Sequence, residues 1–490
     1  MTIKDLQPNV VWSNFYGLTQ VPRPSKHEEK ISDFLKNYLT DLGFEVEQDA
    51  SKNIIANIPA SCGLENAPVT ILQAHMDMVC VAEEGYNYNP LTDAIKLIRT
   101  EDFLKAEGTS LGADNGVGVA EILYIAKNHE TFSHGEIKII FTVDEEQGMS
   151  GAINIDAKHF QGAEFLINCD SEIWDEIVVG SAGSVRIDFT RKINFVTPEE
   201  NFTNAFSIKI FGLRGGHSGI EIGANRANAL KGMKHFLHLL EGKGKFQLAN
   251  FSGGEASNVI PNSAESLIVT NLDEKILRDG EEIFKTNFKK IFGEGEPNFK
   301  IEISQVEVPK KVFCEKDFAD FMNLLELIHS GVYTMNRNIP GQVESSSNLA
   351  IIQLQEDNLR INLFPRSNVS ELLEKFVKLN ATLAKVTDFE IKCSKPSPAW
   401  NFNPDSRLIK IMSEVFEQQN NFKPKIHTTH AGLECAYFLT KNPALDVVSI
   451  GTTNENIHSP KEKLHLKTVA PQVNLITETL QKISASEKNV

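Results

Sequence analysis

The sequence predicts an α/β domain, with a central sheet flanked by helices, that is interrupted by an inserted α+β domain made of two similar halves. The chain has 490 residues, which is longer than one hydrophobic core usually organises. Short apolar runs alternate with helical patterns towards both ends of the chain. Between them the pattern changes and a weak internal repeat appears, so we expect two domains.

Composition and charge exclude several classes of partner. Hydrophobic residues make up 41% of the chain and charged residues 23%, which are ordinary values for a globular protein. The 65 acidic residues outnumber the 49 Lys and Arg residues, and the net charge of -16 repels phosphate backbones and anionic lipids. We therefore expect neither a nucleic acid nor a membrane partner. Six scattered cysteines without CxxC pairs, and an N-terminus without an apolar h-region, favour a cytoplasmic protein.

The predicted first domain covers residues 1–186. A helix over residues 26–42 carries apolar residues at helical spacing, and Ser25 with Glu28 makes a predicted capping box at its start. A second helix is predicted after Asn115. Four short apolar runs have the composition of buried central strands, and they read NIIANI, VTILQA, IKIIFTV and EFLINC. This alternation predicts a sheet that is covered on both faces.

Residues 187–394 are predicted to form the inserted domain, and residues 395–490 to complete the first one. Each repeat unit of the insert contains a helix, two strands and a second helix, and the first unit also begins with the strand FSIKIFG. The units end alike, with FKIEIS in the first and FEIKCS in the second. The last segment restores the α/β pattern with the helix SRLIKIMSEVFEQQ, the strand LDVVSIGT and a final helix.

Acids and histidines follow the ends of predicted strands. His75 and Asp77 lie two residues apart in HMD, directly after VTILQA. Alternation puts both on one face, where the carboxylate can orient the imidazole that binds a metal. A surface His beside a surface Asp is the alternative. The strand end favours the ligand, because α/β proteins gather their sites at the carboxyl ends of strands.

Further candidate ligands lie at corresponding places. Asp114 lies in GADNG at the start of a helix, where an N-cap role is the alternative. FTVDEEQG and LINCDSE place four more acids after strands, and these are Asp144, Glu145, Glu146 and Asp170. His458 follows the strand LDVVSIG. One His and one carboxylate for each of two divalent ions, with one shared aspartate, would satisfy a pair of metals.

The ligand types indicate the metal and the reaction class. Imidazole and carboxylate ligands suit zinc, with manganese and cobalt as alternatives. Two such ions can activate a bridging water and polarise a carbonyl oxygen. The predicted reaction class is therefore hydrolysis.

The ordered set HMD, GADNG, DEEQG, CDSE and His458 resembles the two-zinc exopeptidases and deacylases, which include aminoacylase, glutamate carboxypeptidase and carnosine-type dipeptidases. GGHSGIEI, SNVIPN, FPRS and THAGLECAYF resemble the bacterial aminoacyl-histidine dipeptidase branch. The resemblance covers nearly the whole chain. It implies a catalytic domain with a mixed sheet, a lid formed by the insert, and hydrolysis of small unblocked dipeptides, with Xaa-His favoured. A deacylase or carboxypeptidase acting on N-acyl amino acids is the alternative, and a non-catalytic binding protein of the same fold is a third hypothesis.

The resemblance also implies the ligand sets. His75, Asp114 and Asp170 would hold one zinc ion. Asp114, Glu146 and His458 would hold the other, so that Asp114 bridges the two ions. All five positions are present in this sequence.

Other roles carried over from the resemblance concern the reaction itself. Asp77 would orient His75, and Glu145 would be the general base. His217 in the insert would stabilise the oxyanion, with a flexible-loop histidine as the alternative. Arg366 would clamp the substrate carboxylate, and Asn258 would donate to that carboxylate or to the oxyanion.

Recognition of the free amine calls for another acid, and assembly is left open. Glu434 in HAGLEC is proposed as the partner of the amine, with a buried structural carboxylate as the alternative. Many relatives carry a small lid that dimerises, whereas an insert with two similar halves can imitate that dimer within one chain. A homodimer is then not required for catalysis, although the sequence does not exclude one.

Overall fold

The computed structural model describes residues 3–485, which form two compact units. The first unit contains the chain up to Gly180, residues 402–428 and the chain from Leu433 onwards, and the second contains residues 181–401 and 429–432. No helix within residues 3–485 is long and apolar enough to cross a membrane.

The described part of the first segment, residues 3–181, contains four α-helices and eight strands. The helices are α1 (Asn9–Thr19), α2 (Glu29–Asp41), α3 (Ala113–Asn128) and α4 (Ser150–Asn154). The strands are β1 (Glu45–Gln48), β2 (Ile54–Ile58), β3 (Val69–His75), β4 (Leu97–Arg99), β5 (Phe103–Ala106), β6 (Ile137–Thr142), β7 (Ala163–Asn168) and β8 (Glu176–Ser181).

The inserted segment contains the next four helices and fourteen strands. The helices are α5 (Ala229–Glu241), α6 (Glu274–Phe292), α7 (Glu315–Leu327) and α8 (Ser370–Val386). The strands are β9 (Gly183–Ser184), β10 (Ile187–Lys192), β11 (Phe195–Val196), β12 (Asn204–Phe211), β13 (Phe246–Gly253), β14 (Ala264–Thr270), β15 (Lys300–Val306), β16 (Val312–Phe313), β17 (Gly331–Met335), β18 (Val343–Ser347), β19 (Leu349–Gln355), β20 (Asn358–Leu363), β21 (Arg366–Ser367) and β22 (Glu390–Cys393).

The last segment completes the first unit. Its helices are α9 (Arg407–Asn420), α10 (Cys435–Lys441) and α11 (Leu466–Ala485). Its strands are β23 (Lys425–Thr429), β24 (Asp446–Ser449), β25 (Asn454–Glu455) and β26 (Lys463–His465).

An eight-stranded mixed sheet forms the centre of the first unit, in the order β1-β2-β6-β3-β7-β24-β8-β23. The four strands β6, β3, β7 and β24 are parallel, whereas β1, β2 and β8 pair antiparallel with their neighbours. The parallel strands are apolar and almost entirely buried, as expected for strands covered on both faces. Their carboxyl ends therefore meet at one edge of the sheet.

The start of α2 differs from the prediction. The helix begins at Glu29, and neither Ser25 nor Glu28 caps it with a side-chain hydrogen bond. The Ser25 hydroxyl instead donates to Asp77 at 2.8 Å, and the Glu28 carboxylate accepts the N–H groups of Lys26 and Asp144. The predicted capping box is wrong, because both side chains bind the loops at the sheet edge.

The second unit contains an eight-stranded sheet in the order β15-β12-β14-β13-β19-β20-β10-β22. Its two halves, β15-β12-β14-β13 and β22-β10-β20-β19, mirror one another and meet where Gly253 pairs antiparallel with Ile352. The strand equivalent to β12 in the second half is β10, which precedes the first half in the chain. The inserted α+β domain with two similar halves is confirmed.

Candidate metal centre

The predicted ligands meet at the carboxyl edge of the first unit's sheet. His75 ends β3, and its Nε2 atom lies 3.0 Å from Asp114 Oδ1 and 3.1 Å from Asp170 Oδ1. The Nε2 atom of His458 lies 3.1 Å from Asp114 Oδ2 and 2.8 Å from Glu146 Oε2. The two oxygens of Asp114 thus face one histidine each, which is the arrangement expected of a bridging carboxylate.

Asp77 holds the loop around this cluster and is completely buried. Its Oδ1 atom lies 3.3 Å from His75 Nδ1 and accepts the Glu145 N–H at 3.1 Å. Its Oδ2 atom accepts the Ser25 hydroxyl at 2.8 Å and the Glu146 N–H at 3.3 Å. Asp77 thus lies at the Nδ1 side of His75 while Nε2 faces the other candidate ligands, which is the usual place of a carboxylate behind a metal-binding histidine.

The pKa shifts of the site and one carboxylate oxygen without a hydrogen bond show whether cations fit here. Hydrogen bonds from His458 to Asp114 and Glu146 raise the pKa of that imidazole to about 11. The burial of Glu145, together with neighbouring carboxylates, raises its pKa well above the usual range. The Oε1 atom of Glu146 is buried and has no hydrogen-bond partner in the described part of the chain. A negative site with imidazole and carboxylate donors and an unused oxygen fits divalent metal ions.

The amino end of α3 places Asp114 and a neighbour that sequence reasoning missed. Asp114 has non-helical backbone angles, φ -77° and ψ 110°, within the helix. The next residue, Asn115, donates its side-chain N–H groups to Asp170 Oδ1 at 2.6 Å and to the Cys169 carbonyl at 2.7 Å. Asn115 therefore fixes Asp170, and the motif GADNG contained this residue without indicating its role.

Two more residues of the site were missed, Arg23 and Glu462. Both side chains are 2% exposed, and both bind the backbone around Gly112. Glu462 follows His458 by four residues, so its position near a candidate ligand was the available signal. Nothing in the sequence around Arg23 indicated a role.

Glu434, proposed for the substrate amine, is completely buried at the start of α10. Its Oε2 atom accepts hydrogen bonds from Gln73 Nε2 and Thr142 Oγ1, both at 2.7 Å. Burial raises the pKa of Glu434 to about 8. These contacts favour the alternative of a buried structural carboxylic acid, although no described residue forms a hydrogen bond with Oε1.

The second unit brings His217 and Arg366 together. His217 Nδ1 accepts the Ile220 N–H at 3.2 Å, and His217 Nε2 lies 3.3 Å from Arg366 Nη2. Burial and the Arg366 charge lower the pKa of His217 to about 4, so the imidazole is neutral at pH 7. Acceptance by Nδ1 favours the tautomer with the ring proton on Nε2, in which Nε2 and the Arg366 Nη2 group are both donors. Asn258 is exposed, and its backbone carbonyl accepts the Ser218 N–H at 2.8 Å.

Comparisons with known proteins identify the family of this chain. Residues 71–482 match peptidase family M20/M25/M40. The chain is 32% identical over 487 residues to the cytosol non-specific dipeptidase of Escherichia coli K12, and the match covers 99% of both chains. The crystal structure of aminoacylhistidine dipeptidase from Vibrio alginolyticus matches with a TM-score of 0.90 and 31% identity over 98% of each chain.

A more distant structure shows the fold alone. Human carnosine dipeptidase 1 matches at a TM-score of 0.51 and 13% identity, over 97% of this chain and 98% of that chain. The family inferred from the motifs and the expectation of a hydrolase are both confirmed. By its sequence and its fold, this chain belongs to peptidase family M20/M25/M40.

Proposed function

We propose that the protein hydrolyses the peptide bond of unblocked dipeptides, with Xaa-His dipeptides favoured, in a reaction that depends on two divalent metal ions. The Asp114 carboxylate carries this proposal, because its oxygens face His75 and His458 separately. Two relatives that match over nearly their whole length are named as dipeptidases, and one of them as an aminoacylhistidine dipeptidase.

Five residues would hold the ions, most suitably Zn²⁺, with Mn²⁺ or Co²⁺ as alternatives. His75, Asp114 and Asp170 would bind one ion, and Asp114, Glu146 and His458 the other. When bound, such a pair supplies a water that ionises near neutral pH and polarises the substrate carbonyl.

Glu145 is the residue that we propose as the general base. Asp77 holds the Glu145 N–H, whereas within residues 3–485 the Glu145 carboxylate has no hydrogen-bond partner. A carboxylate without such a partner can take a proton from water and deliver it to the leaving amine. Glu146 is less suited, because its Oε2 atom faces His458.

We further propose that the second unit binds the negative charge of the substrate and of the transition state. The Nε2–H of His217 and the Nη2 group of Arg366 are two donors only 3.3 Å apart, which favours an anionic acceptor close to both. His217 would donate to the oxyanion, and Arg366 would bind the substrate carboxylate. Asn258 would donate to one of these two groups.

The location and assembly of the protein follow from the same proposal. We propose a cytoplasmic enzyme, which agrees with the six free cysteines and with the name of the Escherichia coli relative. A homodimer is compatible with this function, but both halves of the lid lie in one chain, so catalysis should not require a second copy.

A dipeptide panel tests the function. The enzyme loaded with Zn²⁺, Mn²⁺ or Co²⁺ should hydrolyse β-alanyl-histidine and leucyl-histidine, lose this activity after chelation, and recover it when metal is restored. N-acetylated counterparts of the same dipeptides serve as controls and should stay intact. Absence of turnover across a broad panel at full metal loading would contradict the proposal. Preferential cleavage of N-acetyl amino acids would support the deacylase alternative instead.

A further inference from the structure

Two buried residues of opposite charge flank the loop that leads to Asp114. Glu462 and Arg23 are each 2% exposed. Burying a charge is unfavourable unless hydrogen bonds and an opposite charge compensate it. The contacts of each side chain therefore indicate what the pair stabilises.

The Glu462 carboxylate accepts hydrogen bonds from backbone N–H groups of this loop. Its Oε2 atom accepts from Leu111 at 2.7 Å and from Gly112 at 2.9 Å, and its Oε1 atom accepts from Ala113 at 2.8 Å and from Asp114 at 3.4 Å. A carboxylate in this position neutralises the positive amino end of α3, which begins at Ala113. One side chain thus fixes four consecutive peptide groups, the last of which belongs to Asp114.

Arg23 binds the other face of the same loop. Its Nη2 group donates to the Gly112 carbonyl, and its Nη1 group donates to the Met76 and Asp77 carbonyls at 3.0 Å each. The fit is close, because a Cβ atom at Gly112 would lie 2.6 Å from Arg23 Nη2. Arg23 therefore ties the Gly112 loop to the segment directly after His75.

The two contacts together connect three segments that carry the ligands. Arg23 links the segment of His75 to the Gly112 loop, and Glu462 links that loop to the segment of His458, four residues upstream. The oxygens of Asp114 face these two histidines at 3.0 and 3.1 Å. Any displacement of the Gly112 loop would move Asp114 relative to His75 and His458.

We propose that Arg23 and Glu462 are positioning residues that preset the Asp114 carboxylate to bridge two metal ions. This inference rests on the proposed metal centre. A residue that only capped α3 would affect stability alone. A positioning residue also changes metal affinity, and residues that orient ligands typically alter it by 10 to 100 fold.

Metal binding by E462Q is the test. The amide keeps the size of the side chain but places an N–H group against backbone donors, so we expect Zn²⁺ affinity to fall at least tenfold. The affinity and number of sites are measured on metal-free protein by competition with a chromophoric chelator. The midpoint of thermal unfolding without metal is measured in parallel.

A matched control comes from the same unit. Asp446 also caps a helix from a distance, because it accepts the Ser406 hydroxyl at 2.6 Å and the Leu408 N–H at 3.0 Å at the start of α9. D446N should lower the unfolding midpoint of the metal-free protein and leave Zn²⁺ affinity within twofold of wild type. If D446N loses as much affinity as E462Q, or if E462Q binds two ions as wild type does, the inference is wrong.

A second variant covers the case in which E462Q does not fold. R23K keeps the charge but cannot hold the Gly112 carbonyl and the Met76 and Asp77 carbonyls together, so it should weaken Zn²⁺ binding at least threefold. Unchanged affinity in R23K would overturn the inference in that case. Wild-type protein that binds two ions but cleaves no dipeptide would contradict the proposed function and leave this inference standing. Wild-type protein that binds no metal would contradict both.

Discussion

Three adjacent acids, Asp144, Glu145 and Glu146, have different surroundings because the chain turns sharply at the first of them. Asp144 has φ 57°, in the left-handed region that few side chains favour, and its carboxylate accepts the Ser150 hydroxyl at 2.6 Å. Glu146 faces His458 at 2.8 Å. Among residues 3–485, none forms a hydrogen bond with the Glu145 carboxylate, which lies beside the cluster. Adjacent positions in the chain can therefore supply both the proposed ligand, Glu146, and the proposed base, Glu145.

Replacing Glu145 by Gln tests this division. E145Q should lower kcat by roughly 10² or more, the usual magnitude for general acid–base catalysis, because the amide cannot accept the proton. The same variant should bind two Zn²⁺ ions with wild-type affinity, since Glu145 is not among the proposed ligands. Steady-state kinetics on leucyl-histidine and a zinc titration measure the two quantities.

D144N is the matched control for this prediction. Asp144 lies next to Glu145 but contacts Ser150 rather than a proposed ligand, and Asn tolerates the left-handed conformation. D144N should therefore keep kcat within a fewfold of wild type. A fully active E145Q, or an equal loss in D144N, would show that the base has been assigned to the wrong residue.

Glu434 allows a prediction about pH. Burial raises its pKa from 4.5 to about 8, so the folded protein keeps a proton on this carboxyl at pH 7 and the unfolded chain does not. A proton bound only in the folded state means that the free energy of unfolding falls as pH rises from 4.5 to 8. E434Q lacks this contribution. Its stability relative to wild type should therefore increase steadily from pH 5 to pH 8.

Urea unfolding of the metal-free proteins at four pH values measures this difference. A difference between E434Q and wild type that stays constant with pH would contradict a buried protonated carboxyl. The same variant separates the two roles considered for Glu434. A structural role predicts little change in KM for dipeptides, whereas a direct contact with the substrate amine predicts a large increase in KM.

The helices and strands show why part of this structure was predictable. The strands β3, β6 and β7 are continuous apolar runs, and three candidate ligands, His75, Glu146 and Asp170, lie at or shortly after their carboxyl ends, so strand recognition also located these three. The edge strands β1 and β23 were missed, because they are partly exposed and carry polar residues instead of an apolar run. A half-buried edge strand has no strong hydrophobic pattern by which a single sequence would reveal it.

Long-range contacts account for the site residues whose roles were missed. Ser25 and Glu28 match a local capping pattern, yet their side chains bind Asp77 and the Asp144 N–H. Glu462 binds peptide groups about 350 positions earlier in the chain. Side-chain types and spacing reveal ligands, because ligands need particular chemistry. Residues that bind backbone groups carry no such signature, and only the fold identifies them.

The inserted unit has consequences for assembly. Its two halves share one eight-stranded sheet, joined where β13 pairs with β19, and one hydrophobic core that includes Phe236 and Phe321. In the second half, β10 takes the place that β12 has in the first half, and β10 lies at the beginning of the insert in the chain. The halves are therefore interlocked within one chain, and the sheet needs no partner subunit to bring them together.

Mixing two inactive variants tests whether a single chain carries a complete site. E145Q lacks the proposed base, and H217A lacks the proposed oxyanion donor, whose loss should lower kcat by about 10² to 10³. If His217 acted on the site of a second chain, mixed dimers would pair an intact base with an intact donor and recover activity.

Because both lid halves belong to one chain, we expect the mixture of E145Q and H217A to stay as inactive as its components after co-expression or refolding together. Wild-type specific activity should likewise stay constant on dilution, with light scattering recording the oligomeric state. Recovery in the mixture would show that subunits exchange His217 and that the single-chain proposal is wrong.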